Sequence, residues 1–167
     1  MPRPIEDLTE RYAAYVGAFE FAFHHDDWTR IEAFFTRDVV IRIHTEPFAG
    51  GCKGIDNVAD YFRGVLDNFD RRFDERAITS PPQITQTGTR VRAQWSTCYR
   101  RAGAPDLLMS GVEVATFRGQ HIARLDSRFD EGVSQGMVEW LTHYSELLRP
   151  SVDDTVRSLL HGRRSRE

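Results

Sequence analysis

Two cysteines are all that the 167 residues carry, and they stand far apart, at Cys52 and Cys98. A disulfide-framed scaffold or a thiol metal cluster needs more of them at shorter spacing, so the reading is two free thiols in a reducing compartment. Positive charge is not in excess either: 22 Lys and Arg face 25 Asp and Glu, for a net charge of -3 and a pI near 6.1. That balance gives no electrostatic footprint for nucleic acid, and the basic end "HGRRSRE" reads as a solvated terminus. No apolar run approaches the roughly 20 residues that cross a bilayer. The opening "MPRPIEDLTERYAAYV" puts acids where a secretory leader would be apolar. These absences predict a soluble, cytoplasmic chain with no nucleic-acid or membrane partner.

Several chemical signatures are missing as well. "GGCKG" lacks the length and the Lys-Ser/Thr ending of a phosphate-gripping loop, and strands do not alternate with helices as in a nucleotide-binding sheet. No Gly-x-Ser-x-Gly elbow is present, and Cys98 has no histidine at a catalytic spacing. His24 and His25 are adjacent and point apart on a helix, while His121 and His143 have no partner at ligand spacing. No metal and no cofactor are expected.

What the chain has in quantity is phenylalanine, 11 residues, many of them in the first seventy. With 40% hydrophobic and 28% charged residues, the length suits one domain over 1–167 with a substantial core. Leu8, Tyr12, Tyr15, Phe19 and Phe23 recur at helical spacing over 6–25. Asp26 or Asp27 is placed to cap a second short helix, "WTRIEAFF", and "DVVIRIHT" reads as a strand. Gly50, Gly51 and Gly54 mark a loop before a helix over 56–69. "SPP" at 80–82 interrupts any strand there. Strands follow at 83–87, 89–101, 106–118 and 121–129, with Gly88 and Gly119-Gln120 as turns. Helical texture returns at 134–148, carrying Met137, Trp140, Leu141 and Tyr144 on one side. A last short helix begins near Asp153, so that 133–161 forms a C-terminal helical extension. The order predicts an α+β fold, a curved, mostly antiparallel sheet with helices packed on its concave face.

Three stretches carry a family likeness: "DDWTRIEAFFTRDVVIRI", "FAGGCKGIDNVADYF" and the meander ending "IARLDSRFDE". In order and texture they resemble the NTF2-like superfamily, and within it the SnoaL-like proteins, over residues 8–130. The resemblance implies a cone-shaped half-barrel with an apolar pocket, and frequent homodimers. Members include steroid isomerases, dehydratases, polyketide cyclases, epoxide hydrolases and non-catalytic binding or assembly modules. Set against the steroid-isomerase pattern, "EVATFRG" puts the protonated acid on Glu113. The proton-abstracting position falls on Ile43, beside His44, and the oxyanion tyrosine on Phe19, with Tyr15 one turn earlier. Two of the three roles miss their register, which argues against steroid isomerisation.

Strand alternation picks out Glu113 independently. It shares a face with Leu107, Met109, Ala115 and Phe117, and the matching face of the preceding strand carries Val91, Ala93, Trp95, Thr97 and Tyr99. In a dry pocket its pKa would rise and suit proton transfer; on a wet or partner-covered face it would be a paired glutamate. His44 ends the first strand on the parity of Asp38 and Arg42 and is the second proton-transfer candidate. Arg124, Asp126 and Arg128 form a charged row that reads as a solvated or dimer face. The expectation is a cofactor-free acid/base enzyme, an isomerase, dehydratase or cyclase, acting on a small hydrophobic molecule. Glu113, His44 and Tyr15 would carry the chemistry, and Tyr99, Trp95, Tyr61, Phe19, Met109, Phe117 and Trp140 would line the ligand. The rival is a ligand-binding or assembly module of the same fold.

Overall fold

The computed structural model describes residues 7–151. The last helix expected near Asp153 and the basic end lie outside them. Seven strands form one sheet in the order β2-β1-β7-β6-β5-β3, with β4 also paired to β5. They are β1 (Phe35–Ile43), β2 (Gly50–Lys53), β3 (Glu75–Ile78), β4 (Gln83–Thr87), β5 (Arg90–Arg100), β6 (Leu107–Arg118) and β7 (His121–Phe129). Only β1 and β7 run parallel; every other pairing is antiparallel. Among the described residues three α-helices accompany the sheet: α1 (Thr9–His25), α2 (Val58–Asn68) and α3 (Val133–Tyr144).

The helices sit where their apolar stripes demand. α1 buries Tyr12, Tyr15 and Ala22, and α2 buries Val58, Phe62 and Leu66. These pack on Val39, Ile41, Val91, Ala93, Ala115 and Leu125 from the sheet. A second apolar cluster, around Phe69, Phe73, Tyr99, Met109, Met137 and Trp140, is built by the chain after α2, the far ends of β5 and β6, and α3.

β4 to β7 fall within a residue of the sequence expectation, because alternation and two-residue turns at Gly88 and Gly119 specify them together. Elsewhere the structure corrects the reading. "WTRIEAFF" is a turn with one 3-10 turn at Glu32–Phe34, and β1 begins directly afterwards. Asp26 does not open that segment: it ends α1 in a left-handed conformation, φ 53°, and accepts the Trp28 indole N–H at 2.8 Å. The Gly50–Gly51 loop is a strand: a Cβ at Gly51 would overlap the Ile41 carbonyl, so glycine is what lets β2 lie against β1. β3 was not expected; it pairs with the end of β5, before the proline break. A bulge at Ala123 moves Ile122 inward beside Phe117, so Ile122 and Leu125 both reach the core.

Candidate functional site

Between α1, α2 and the concave face of the sheet lies a cavity of about 230 Å³. Tyr12, Tyr15 and Phe19 enter it from α1, and Tyr61, Phe62 and Leu66 from α2. Trp95, Thr97 and Tyr99 come from β5, Met109 and Glu113 from β6, and Leu125 and Ser127 from β7. The inward parity of each strand therefore supplies the wall, as the 2-residue repeat requires. Ile78 belongs to the lining and is 44% exposed, so the cavity opens to the surface beside β3.

One polar group stands at the α1 N-terminal end. Glu113 accepts a hydrogen bond from Tyr12 Oη on Oε1 at 2.7 Å and from Ser127 Oγ on Oε2 at 2.9 Å. Its side chain is half-buried and lines the cavity. Burial pushes its pKa up, and the two neutral donors pull it partly back. No Lys, Arg or His among the described residues pairs with it. Burial and the Glu113 charge push the Tyr12 and Tyr15 phenols well up, so both remain protonated donors. The Tyr15 hydroxyl takes part in none of the hydrogen bonds among the described residues, and its ring lies 5.7 Å from that of Tyr12.

A second polar group lies farther along α1. Tyr99 Oη donates to Asp70 Oδ1 at 2.7 Å, and Arg76 Nε approaches the same oxygen at 3.2 Å. Arg76 Nη1 donates to both carboxylate oxygens of Glu20, at 3.0 and 2.9 Å, and its guanidinium lies over the Phe23 ring. Burial raises the Asp70 pKa against the pull of Arg76 and Tyr99.

Of the residues expected at the site, Glu113, Tyr15, Tyr99, Trp95, Tyr61, Phe19 and Met109 line this cavity together. His44 does not. It follows β1 on the outer face of the sheet, where its Nε2 is 2.6 Å from Asp126 Oδ1 and Asp126 also accepts from Arg124. Asp126 neighbours inward-facing Leu125 and Ser127 and so points the other way, which puts the sheet between His44 and Glu113. The parity that counted against His44 in the sequence is thus its actual placement. Phe117 packs in the core with Ile122, without reaching the cavity. Trp140 stacks near Phe73 and donates its indole N–H to the Pro105 carbonyl at 2.7 Å, so α3 extends the core and lines no part of the opening.

Tyr12, Ser127, Asp70, Arg76 and Glu20 were not singled out as site residues. Tyr12 shares the helical stripe of Tyr15 and Phe19, and Ser127 shares the parity of Leu125, so both were readable as inward. Asp70, Arg76 and Glu20 come from the turn after α2, the unexpected β3, and the flank of α1; no local pattern joins them.

A model of the SnoaL-like domain matches residues 15–125. No match is found among curated proteins. Solved structures share the fold. An NTF2-like protein from Anabaena variabilis ATCC 29413 superposes with a TM-score of 0.62 at 15% identity, over 80% of this chain and 97% of its own. An NTF2-like protein from Burkholderia xenovorans LB400 gives 0.60 at 19%, over 79% and 96%. A putative polyketide cyclase from Xanthomonas campestris pv. campestris gives 0.54 at 19%, over 81% and 98%. With the mixed curved sheet, its covering helices and the family match over most of the cone, the chain belongs to the SnoaL-like family of the NTF2-like superfamily.

Proposed function

We propose that this chain is a cofactor-independent acid/base enzyme acting on a small, mostly hydrophobic molecule, as an isomerase, dehydratase or cyclase. The carrying observation is Glu113, a carboxylate at the wall of an apolar cavity, hydrogen-bonded by two neutral hydroxyls and matched by no cation among the described residues. Burial raises its pKa, so such a group is a stronger base than an exposed glutamate and holds the proton it takes more tightly.

In this reading Glu113 removes a proton from the carbon beside a substrate carbonyl. The electron pair of the broken C–H bond moves onto the carbonyl oxygen, to which Tyr15 donates a hydrogen bond. Isomerisation ends when protonated Glu113 returns the proton to a different carbon; dehydration ends when a neighbouring hydroxyl leaves with it as water. Tyr12 and Ser127 hold the carboxylate in one orientation throughout. A cavity of 230 Å³ exceeds the roughly 150 Å³ that admits a benzene, which sets the substrate at one or two rings. The putative polyketide cyclase from Xanthomonas campestris has the same fold, which supports the substrate class.

The test is a turnover screen of hydroxy-, keto- and epoxy-substituted hydrophobic compounds, followed by Glu113→Gln on whatever substrate emerges. We expect kcat to fall by about 10²–10⁴, the usual worth of a general acid/base, with substrate affinity held within a few-fold. A kcat that survives Glu113→Gln sinks the reading.

A further inference from the structure

The two polar groups of the cavity are held at a fixed spacing by one helix. Tyr12, which holds Glu113, and Glu20, which holds Arg76, are separated along α1 by roughly 12 Å at 1.5 Å per residue. Between them the wall is mostly apolar, with Phe19, Phe62, Leu66, Trp95 and Leu125 beside Thr97 of β5. Nothing about proton transfer at Glu113 needs the distant group, and a buried ion pair is weak support for stability. Asp70, Arg76 and Glu20 all border the cavity.

The distant group is incompletely paired. Asp70 Oδ1 takes the Tyr99 hydroxyl and faces Arg76, while Oδ2 carries none of the hydrogen bonds among the described residues. Arg76 Nε is a buried donor with no hydrogen-bond partner in good geometry. Arg76 Nε is enclosed and already faces Oδ1, whereas Asp70 borders the cavity, so a ligand hydroxyl donated to Oδ2 recovers part of the cost of burying the carboxylate. The charge count is also informative: one guanidinium meets the carboxylates of Asp70 and Glu20, and Glu113 adds a third acid at the other end. A ligand anion would therefore find no cation left unpaired among the described lining residues, whereas a neutral hydroxyl can donate to Asp70 Oδ2.

We propose that the Asp70–Arg76–Tyr99 end of the cavity is an anchoring subsite for a second oxygen of the substrate. The substrate class is then a neutral, elongated, apolar molecule with an oxygen at each end, the far one a hydroxyl. This deepens the acid/base reading by naming its substrate class, and it rests on that reading only in taking the cavity as the ligand site.

Calorimetric titration of the full chain with four probes near pH 7.5 tests it: para,para′-biphenol, para-phenylphenol, the methyl monoether of the biphenol, and para′-hydroxybiphenyl-para-carboxylate. Biphenol is expected to bind at least about tenfold tighter than each of the others, the worth of one hydrogen bond to a charged group. Asp70→Asn should abolish that preference, since Asn keeps the side-chain shape but removes the charged acceptor for the second hydroxyl. Equal binding of biphenol and para-phenylphenol, carboxylate binding as tight as biphenol, or no binding by any probe overturns the proposal. The wild-type series decides even where Asp70→Asn fails to fold. The two readings fail separately. A biphenol preference that persists beside turnover indifferent to Glu113→Gln removes the enzyme and keeps the subsite. Glu113-dependent turnover without the preference does the reverse.

Discussion

Glu113 makes the protein less stable than its packing alone would allow, and the pH dependence exposes this. Its folded pKa is raised by burial, so the folded state holds the proton more tightly than the unfolded chain does. Below the ordinary carboxylate range the group is neutral in both states and costs nothing. As pH rises through the raised folded value the unfolded state gains from ionisation and stability falls. Glu113→Gln removes that dependence while keeping partners for Tyr12 and Ser127. Urea midpoints measured from about pH 4 to pH 8 should show the variant gaining steadily on wild type. A constant difference across the range would mean that Glu113 ionises in the fold as freely as in solution. Asp70 has the same sign of shift, but it is present in both proteins and cancels from the comparison.

The wall of the cavity depends on how closely elements approach, and Gly111 is a point of close approach. In register it lies opposite Trp95 on β5 and Phe129 on β7. A Cβ there would overlap the Arg128 carbonyl and come within 2.8 Å of Trp95 Cζ2. Glycine at this position lets the Trp95 indole come close against β6 as part of the wall. Gly111→Ala should cost about 1–3 kcal/mol in urea unfolding, the usual penalty for overpacking, and shift Trp95 fluorescence as the ring moves. An unchanged spectrum and midpoint would place the indole elsewhere. The same scale shows what a sequence can tell. Glu113 was legible because it shares its parity with Met109, Ala115 and Phe117, all buried, and the two-residue turn at Gly119 fixes the register of β6 against β7. β2 was hidden because paired glycines usually signal a loop, and here they signal close backbone contact with β1. β3 has four residues, too few for a period to show, and with it went Arg76 and the second polar group. His44 illustrates the opposite case, a reactive side chain on the parity of Asp38 and Arg42, which the structure puts on the outer face beside Asp126.

For the molecule as a whole, an open cavity is a liability that the fold could have removed. At roughly 24 cal/mol per Å³, leaving 230 Å³ unfilled forfeits at most on the order of 5 kcal/mol of packing. Domains of this kind hold only about 5–15 kcal/mol in total, so the loss is a large share. A chain with 11 phenylalanines has the material to fill such a space. Instead Phe19, Phe62 and Phe69 make edge contacts with other rings and stand around the opening. That arrangement makes sense when a ligand supplies the missing contacts and binding energy is spent on the reacting end. It also predicts a trade between stability and binding. Val16 lies on α1 at the cavity wall, midway between Tyr12 and Glu20, and is not fully buried. Val16→Phe would push a ring into the empty space without touching Glu113 or the Asp70 group. Thermal unfolding should then occur at the same temperature or higher, by up to about 2 kcal/mol of added stability, while biphenol binding falls by at least tenfold. Lower stability with undiminished binding would mean that the space is not where a ligand sits.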